Sequence, residues 1–231
     1  MEGTLYIVAT PIGNLGDITL RAIEVLKQVD IIACEDTRHT KILLDHYGIK
    51  KTLTSYFEHN KQKKAKYILE FLESGKNVAL VSDAGTPGIS DPGYRVIRDA
   101  IDSGIEVVSI PGANAAIAAL AVSGMPTDCF IFEGFLPKKA TARKKKLFEF
   151  VDTKKTIICY ESPHRLLAVL EDIKEVLGSA ELAIAREITK KFEEIKRGSA
   201  EEMLGYFNQQ KVRGEFVVII NPTTTAIKKW Q

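Results

Sequence analysis

Cysteine and tryptophan are scarce in this chain, with three cysteines and one tryptophan among 231 residues. Cys34, Cys129 and Cys159 lie far apart, inside or beside apolar runs, with no Cys-x-x-Cys spacing. That odd, scattered set argues against a disulfide framework or a zinc site and predicts reduced core thiols in a cytoplasmic protein. His39, His46, His59 and His164 show no metal-ligand spacing. No apolar run approaches the roughly 20 residues of a membrane span. A strand pattern begins at once over residues 4–9, so no signal peptide is expected. A GxxxxGK[ST] loop, a GxGxxG after the first strand and a GxSxG elbow are all missing. Their absence disfavours a P-loop nucleotidase, dinucleotide binding of the usual kind and Ser-His-Asp hydrolysis.

What is present is the composition of a globular protein, 45% hydrophobic and 27% charged. The net charge of +2 says little about partners, but its distribution says more. Lys61, Lys63, Lys64 and Lys66 form one basic cluster, and Lys138, Lys139, Arg143, Lys144, Lys145 and Lys146 a denser one. Such runs are often only solvated helix faces, yet they also make a local footprint for an anionic partner.

The stretch Ser82-Asp83-Ala84-Gly85-Thr86-Pro87-Gly88-Ile89-Ser90-Asp91-Pro92-Gly93 organises the chain. It follows an apolar strand pattern (78–81) and precedes an amphipathic helix pattern closed by Gly104. Asp91-Pro92 reads as an N-cap with proline at the first helical position. Ser82 and Asp83 therefore fall at the carboxyl end of a strand, where open α/β sheets place their ligands. A second loop of this type, Pro111-Gly112-Ala113-Asn114-Ala115, follows the next strand.

Single helices alternate with strands through the first half: strands at 4–9, 31–34, 52–56, 77–81 and 106–110, with Ile42, Leu43 and Leu44 expected to point inward from the second helix. This pattern predicts a doubly wound, mainly parallel sheet. After Gly124 the pattern changes. Strands at 130–135, 155–160, 181–185, 192–197 and 214–220 are interspersed with helices at 140–150, after Ser162-Pro163, and after a capping box at Ser199 and Glu202. A second α/β domain with a mixed sheet is expected, giving domains at 1–112 and 113–231, with a frayed tail at 223–231.

Several strings carry a family resemblance: Thr10 to Asp17, Glu35-Asp36-Thr37-Arg38, Ser82 to Gly93, Pro111 to Ala115 and Phe132 to Pro137. Tyr160-Glu161-Ser162-Pro163-His164-Arg165, Arg186 to Lys190 and Gly214-Glu215-Phe216 complete it. In order, from Leu5 to about Ile220, they resemble the ribosomal RNA branch of the tetrapyrrole (corrin/porphyrin) methylase superfamily. The resemblance implies two α/β domains with S-adenosylmethionine in the cleft between them, and a homodimer. It implies methylation of the ribose 2′-oxygen of a cytidine in the decoding region of small-subunit (16S) ribosomal RNA. It places Asp83, Gly85 and Ile89 beside the cofactor, with Asn114, Ala115, Tyr160, Glu161 and Ala185 completing the shell.

A ribose hydroxyl is a poor nucleophile, so a base or cationic neighbour should help remove its proton. No Lys-Asp-Lys-Glu tetrad can be assigned. Glu35, Asp36, Arg186 and Glu187 are the catalytic candidates, with Arg38 and Lys190 nearby, and each is equally readable as a salt-bridge residue. Arg38 and Lys144, Lys145 and Lys146 suit RNA phosphates better than chemistry. Two rival readings share parts of this pattern: a methylase acting on an acidic precorrin-like macrocycle, and a non-enzymatic RNA-binding module. The Thr10 to Asp17 loop and the full Asp83 to Gly93 string favour the RNA branch, and a binding module has no use for two cofactor-type loops.

Overall fold

The computed structural model describes residues 2–57, 61–178 and 180–222, with backbone only at 61–63. His59, the side chains of Lys61 and Lys63, and the tail 223–231 lie outside the described residues. The chain divides into two compact units, Met1–Asn114 and Ala115–Gln231.

In the first unit, β1 (Leu5–Val8), β2 (Ile31–Cys34), β3 (Thr52–Ser55), β4 (Val78–Val81) and β5 (Val107–Ile110) form one sheet in the order β3-β2-β4-β1-β5. All four pairings are parallel. Successive side chains of a strand point to opposite faces, and here both faces are buried. Leu5, Ile7, Ile31, Ala33, Val78 and Leu80 pack with α3 (Lys61–Glu73) and α4 (Tyr94–Asp102). Val8, Ile32, Cys34, Ala79 and Val81 pack with α1 (Leu20–Gln28) and α2 (Thr37–His46). This is the doubly wound arrangement that the strand–helix alternation predicts.

The second unit holds β6 (Phe130–Phe135), β7 (Thr156–Glu161), β8 (Glu181–Arg186), β9 (Glu194–Ser199) and β10 (Phe216–Asn221) in the order β6-β7-β10-β8-β9. Only β6 and β7 pair in parallel; the other three pairings are antiparallel, so the sheet is mixed. One face packs on α6 (Ala140–Phe148), α7 (Leu166–Leu177) and α8 (Ala200–Asn208) through Ile157, Cys159, Leu182, Ile184, Val218 and Ile220. The opposite face, with Ile158, Ala183, Val217 and Ile219, is covered by α5 (Ala115–Ser123). The capping box at Ser199 and Glu202 forms as its spacing predicts.

Three local expectations are corrected. Ile42 points outward, 63% exposed, because Thr40, Leu43 and Leu44 take the buried face of α2. Helix α7 begins at Leu166 rather than straight after Pro163, since Ser162 to Arg165 form a preceding turn. Cys129 is exposed, whereas Cys34 and Cys159 are the buried thiols; burial pushes Cys34 up and Cys159 to about 12. Of the basic clusters, Lys64 donates to Thr54 and Lys66 pairs with Glu70 along α3.

Candidate functional site

Because the first sheet is parallel, the loops that follow β1, β2, β4 and β5 leave the same sheet edge. Hydrogen bonds join them. The Thr10 amide donates to the Gly85 carbonyl (2.9 Å) and the Gly85 amide donates back to Thr10 (3.0 Å). Thr10 Oγ1 donates to the Ser82 carbonyl at 3.1 Å. Thr86 Oγ1 reaches the Ala113 carbonyl at 3.4 Å, and the Asp36 amide donates to Asp83 Oδ1 at 3.0 Å.

The backbone of the Ser82–Gly93 loop explains why Asp91 is not the N-cap that its Asp-Pro sequence suggests. Gly93 approaches the Gly88 backbone so closely that a Cβ there would lie 2.9 Å from the Gly88 nitrogen. That contact carries the chain two residues further before α4 starts at Tyr94, with Gly93 as a cap lacking any side-chain bond. Asp91 is left interacting with Ser82 and facing Asp83. Gly85 occupies the left-handed region (φ 81°), which its pairing with Thr10 requires, and Ser90 does so without being glycine (φ 63°).

Three carboxylates, Glu35, Asp83 and Asp91, thus gather at this edge. Burial raises the Glu35 carboxyl, and the charges of Asp83 and Asp91 raise it further. Burial likewise raises Asp91, opposed by the Ser82 hydrogen bond and reinforced by Asp83. Among the described residues none of the three has an ion pair within 4 Å, and no group of three ligating side chains could hold a metal ion. A pocket of about 220 Å³ opens beside Asp83, walled by Pro11, Leu15, Ile42 and Leu43, with Thr10, His39, Thr40, Ser82 and Asp83 as its polar groups.

The other candidates in this unit fall into different roles. Asp36 caps α2 by accepting from the Arg38 amide (2.8 Å) and binds the Arg38 guanidinium through both oxygens (3.1 and 2.7 Å). Those bonds hold its carboxyl far below the usual range. Ile89 is exposed on the loop, and Asn114 ends the unit half-buried.

In the second unit Ala115 opens α5. The Tyr160 ring sits edge-on to Phe132 and Phe135, with centroids 5.1 and 5.9 Å away. Glu161, expected beside the cofactor, is only 3% exposed; it pairs with Arg165 (3.1 Å) and accepts from the Ser162 amide (2.7 Å). Ala185 packs in the core with Val217 and Ile219. Arg186 donates to the Arg213 carbonyl at 2.7 Å. Glu187 (φ 50°) accepts from the Glu215 amide (2.9 Å) and from Lys190 (3.0 Å). Burial works against its ionisation, but these bonds outweigh it and hold the carboxyl below its ordinary value. Arg186, Glu187 and Lys190 therefore brace the turn between β8 and β9.

The basic helix α6 is not uniformly free. Arg143 is buried against Asp172 (2.6 Å), which was not evident in the sequence. Lys144 pairs with Glu175 (2.6 Å) and Asp172 (3.6 Å), and Lys146 with Glu133 and Glu149 (both 3.1 Å). Lys138, Lys139 and Lys145 are exposed. Residues that the sequence left unassigned are Asp91 as a facing acid and Leu15, Thr40 and Ile42 as pocket walls. The only signal for the first is an aspartate inside a glycine-rich loop; nothing local marks the others.

Comparison with known proteins identifies the family. Residues 4–204 match the Tetrapyrrole (Corrin/Porphyrin) Methylases. The chain is 52% identical over 219 residues to ribosomal RNA small subunit methyltransferase I of Halalkalibacterium halodurans, covering 95% of this chain and 76% of that one. It is 51% identical over 218 residues to the Bacillus subtilis protein of the same name, covering 94% and 75%. Among solved structures, a cobalt precorrin-4 methyltransferase shares the fold at TM-score 0.72 and 17% identity, covering 94% of both chains. Uroporphyrin-III C-methyltransferase from Thermus thermophilus, complexed with S-adenosyl homocysteine, does so at TM-score 0.65 and 16% identity, covering 95% and 97%. The chain belongs to the tetrapyrrole (corrin/porphyrin) methylase family and, within it, to the ribosomal RNA small subunit methyltransferase I group.

Proposed function

We propose that this protein is an S-adenosylmethionine-dependent methyltransferase of small-subunit (16S) ribosomal RNA, acting on the ribose 2′-oxygen of a cytidine in the decoding region, as a cytoplasmic homodimer. The observation that carries the reading is identity of about half over nearly the whole chain to relatives with that rRNA-directed name. Precorrin-type enzymes share the fold at far lower identity, 17% for the cobalt precorrin-4 enzyme, so a macrocycle substrate is not favoured.

The residues present suit the cofactor. S-adenosylmethionine carries an ammonium and a sulfonium, and Glu35, Asp83 and Asp91 form an acidic group with no cationic partner within 4 Å among the described residues. Gly85 and Gly88 let backbone approach a ligand closely. Asp83, Gly85, Ile89 and Asn114 of the first unit, and Ala115 and Tyr160 of the second, are the proposed cofactor residues. Glu161, buried and paired with Arg165 inside its own unit, and Ala185 stay among the proposed cofactor residues on the resemblance alone.

When bound, the cofactor supplies a methyl group on a positively charged sulfur. The chain supplies orientation and a proton acceptor. Holding reacting groups in line is worth up to about 7–11 kcal/mol in ideal cases. Of the four catalytic candidates, Asp36 is tied to Arg38, Arg186 to Arg213, and Glu187 to Lys190 and Glu215. Glu35 alone keeps a raised carboxyl at the sheet edge, which makes it the better base for a ribose hydroxyl. Transfer of tritiated methyl from S-adenosylmethionine to unmethylated small ribosomal subunits, with the product mapped to a cytidine 2′-oxygen, tests the reading. Labelling of a precorrin but not of the subunit overturns it.

A further inference from the structure

The pocket beside the acidic loops has a size and lining of its own. At about 220 Å³ it is smaller than the roughly 300–1,000 Å³ of sites for drug-sized ligands, so it admits one ring system rather than a whole cofactor. Pro11 and Leu15 come from the β1 loop, and Ile42 and Leu43 from α2. Ile42 stands 63% exposed at this wall, an apolar side chain left uncovered on a helix whose opposite face is buried. Thr40, which also lines the pocket, is only 3% exposed, and its Oγ1 has no oxygen or nitrogen partner, only the Cys34 thiol, a weak acceptor, beside it. A buried hydroxyl without a partner costs stability unless a ligand supplies one. Of the three buried hydroxyls that line the pocket, those of Thr10 and Ser82 donate to backbone carbonyls, which leaves Thr40's, beside the apolar walls, for the polar edge of a planar ring.

RNA-modifying enzymes hold an unstacked base between apolar or aromatic side chains and bond its polar edge. Asp83, a proposed cofactor residue, also lines this pocket, so a base seated here brings its ribose to the cofactor loop. We infer that the pocket seats the pyrimidine base of the target nucleotide, with Leu15 and Ile42 against its faces and the Thr40 hydroxyl at its polar edge. This rests on the rRNA-methylation reading above.

The test uses two variants of the full chain. Ile42→Trp fills the pocket from an exposed position, and Thr40→Val removes the hydroxyl while keeping its shape. Cofactor affinity is measured by calorimetry, and binding and methyl transfer are measured with unmethylated small ribosomal subunits. Ile42→Trp is expected to leave cofactor affinity within about twofold and to weaken subunit binding by about 5- to 150-fold, the loss of one seated base. Thr40→Val is expected to lower transfer kcat/KM by about 2- to 12-fold, one neutral hydrogen bond, with thermal unfolding no worse than wild type. Ile42→Trp that binds and methylates subunits like the wild type overturns the pocket assignment while leaving the methyltransferase reading intact. Loss of cofactor affinity in Ile42→Trp also overturns it, by giving the pocket to the cofactor. A wild type that binds S-adenosylmethionine but transfers nothing to subunits removes the underlying reading and this inference with it.

Discussion

The backbone amide of Asp36 donates a 3.0 Å hydrogen bond to Oδ1 of Asp83, joining the end of β2 to the end of β4. The two residues are 47 positions apart, and their strands are neighbours in the sheet. Asp83 therefore has two physical roles: it fixes the main chain that carries Glu35, and it contributes charge to the acidic edge.

Those roles separate by substitution. A hydrogen bond to a charged group is worth about 1.5–3 kcal/mol. Asp83→Ala should lose stability of that order and lose S-adenosylmethionine binding. Asp83→Asn keeps an oxygen for the Asp36 amide, so most of the stability should return while cofactor affinity stays low. Urea unfolding and calorimetry on both variants check this; full cofactor affinity in Asp83→Asn would show that charge at 83 is irrelevant.

Gly93 and Gly104 both have positive φ, but their surroundings differ. A Cβ at 93 meets the Gly88 backbone at 2.9 Å, whereas a Cβ at 104 meets nothing within 4 Å. Gly104→Ala should cost only the left-handed conformation, about 1–2 kcal/mol. Gly93→Ala must also move the loop, so it should unfold earlier and bind cofactor at least tenfold more weakly, while Gly104→Ala binds normally. Equal cofactor affinity in the two variants would separate the Gly88–Gly93 contact from the site.

Glu35 sets a pH dependence with two opposite signs. Its carboxyl is raised in the folded state by burial and then by Asp83 and Asp91, above an ordinary value of 4.5. The folded chain thus binds more protons than the unfolded chain between those two values, and stability falls as pH rises through that window. Cofactor affinity should rise over the same window, because ionised carboxylates attract the ammonium and sulfonium. Glu35→Gln should flatten both trends in denaturation and calorimetry run from pH 4 to 8, and should lower the methyl-transfer rate. Unchanged trends would assign the titration to Asp91, which burial also raises.

The sequence made legible whatever rests on neighbours along the chain. The β2 run Ile31–Cys34 is apolar throughout because both its faces are buried, and the Ser199–Glu202 box is complete within four residues. What it hid depends on partners far away. Asp91 reads as a cap because the approach of Gly93 to Gly88 is a tertiary event. Ile42 reads as core because periodicity alone cannot say which of three adjacent apolar residues faces the sheet. Arg143 reads as surface charge because Asp172 lies 29 residues on. At the site, strand ends and glycines located the edge, but which acids stay without cations could be seen only once Arg38 had closed on Asp36.

That same distinction decides which lysines of α6 can serve RNA. Each phosphate contact releases counterions, so the logarithm of RNA affinity falls with log salt by about 0.7–0.9 per contact. Lys144 and Lys146 already face Glu175 and Asp172, and Glu133 and Glu149, so meeting a phosphate means giving up a carboxylate. Lys138, Lys139 and Lys145 are exposed, with no carboxylate within 4 Å among the described residues, and carry no such cost. Replacing these three by glutamine should flatten the salt slope of subunit binding by as much as about 2 units. The Lys144→Gln, Lys146→Gln double variant should change it by less than half as much, with cofactor affinity unaffected in either. Arg143 is unsuitable for this comparison, since removing one partner of a buried ion pair costs about 3–5 kcal/mol and would test folding instead. Salt titrations of the three proteins against small ribosomal subunits decide the matter. Equal flattening in both variants would show that the ion pairs open freely, and three superimposable lines would take this helix out of the RNA surface altogether.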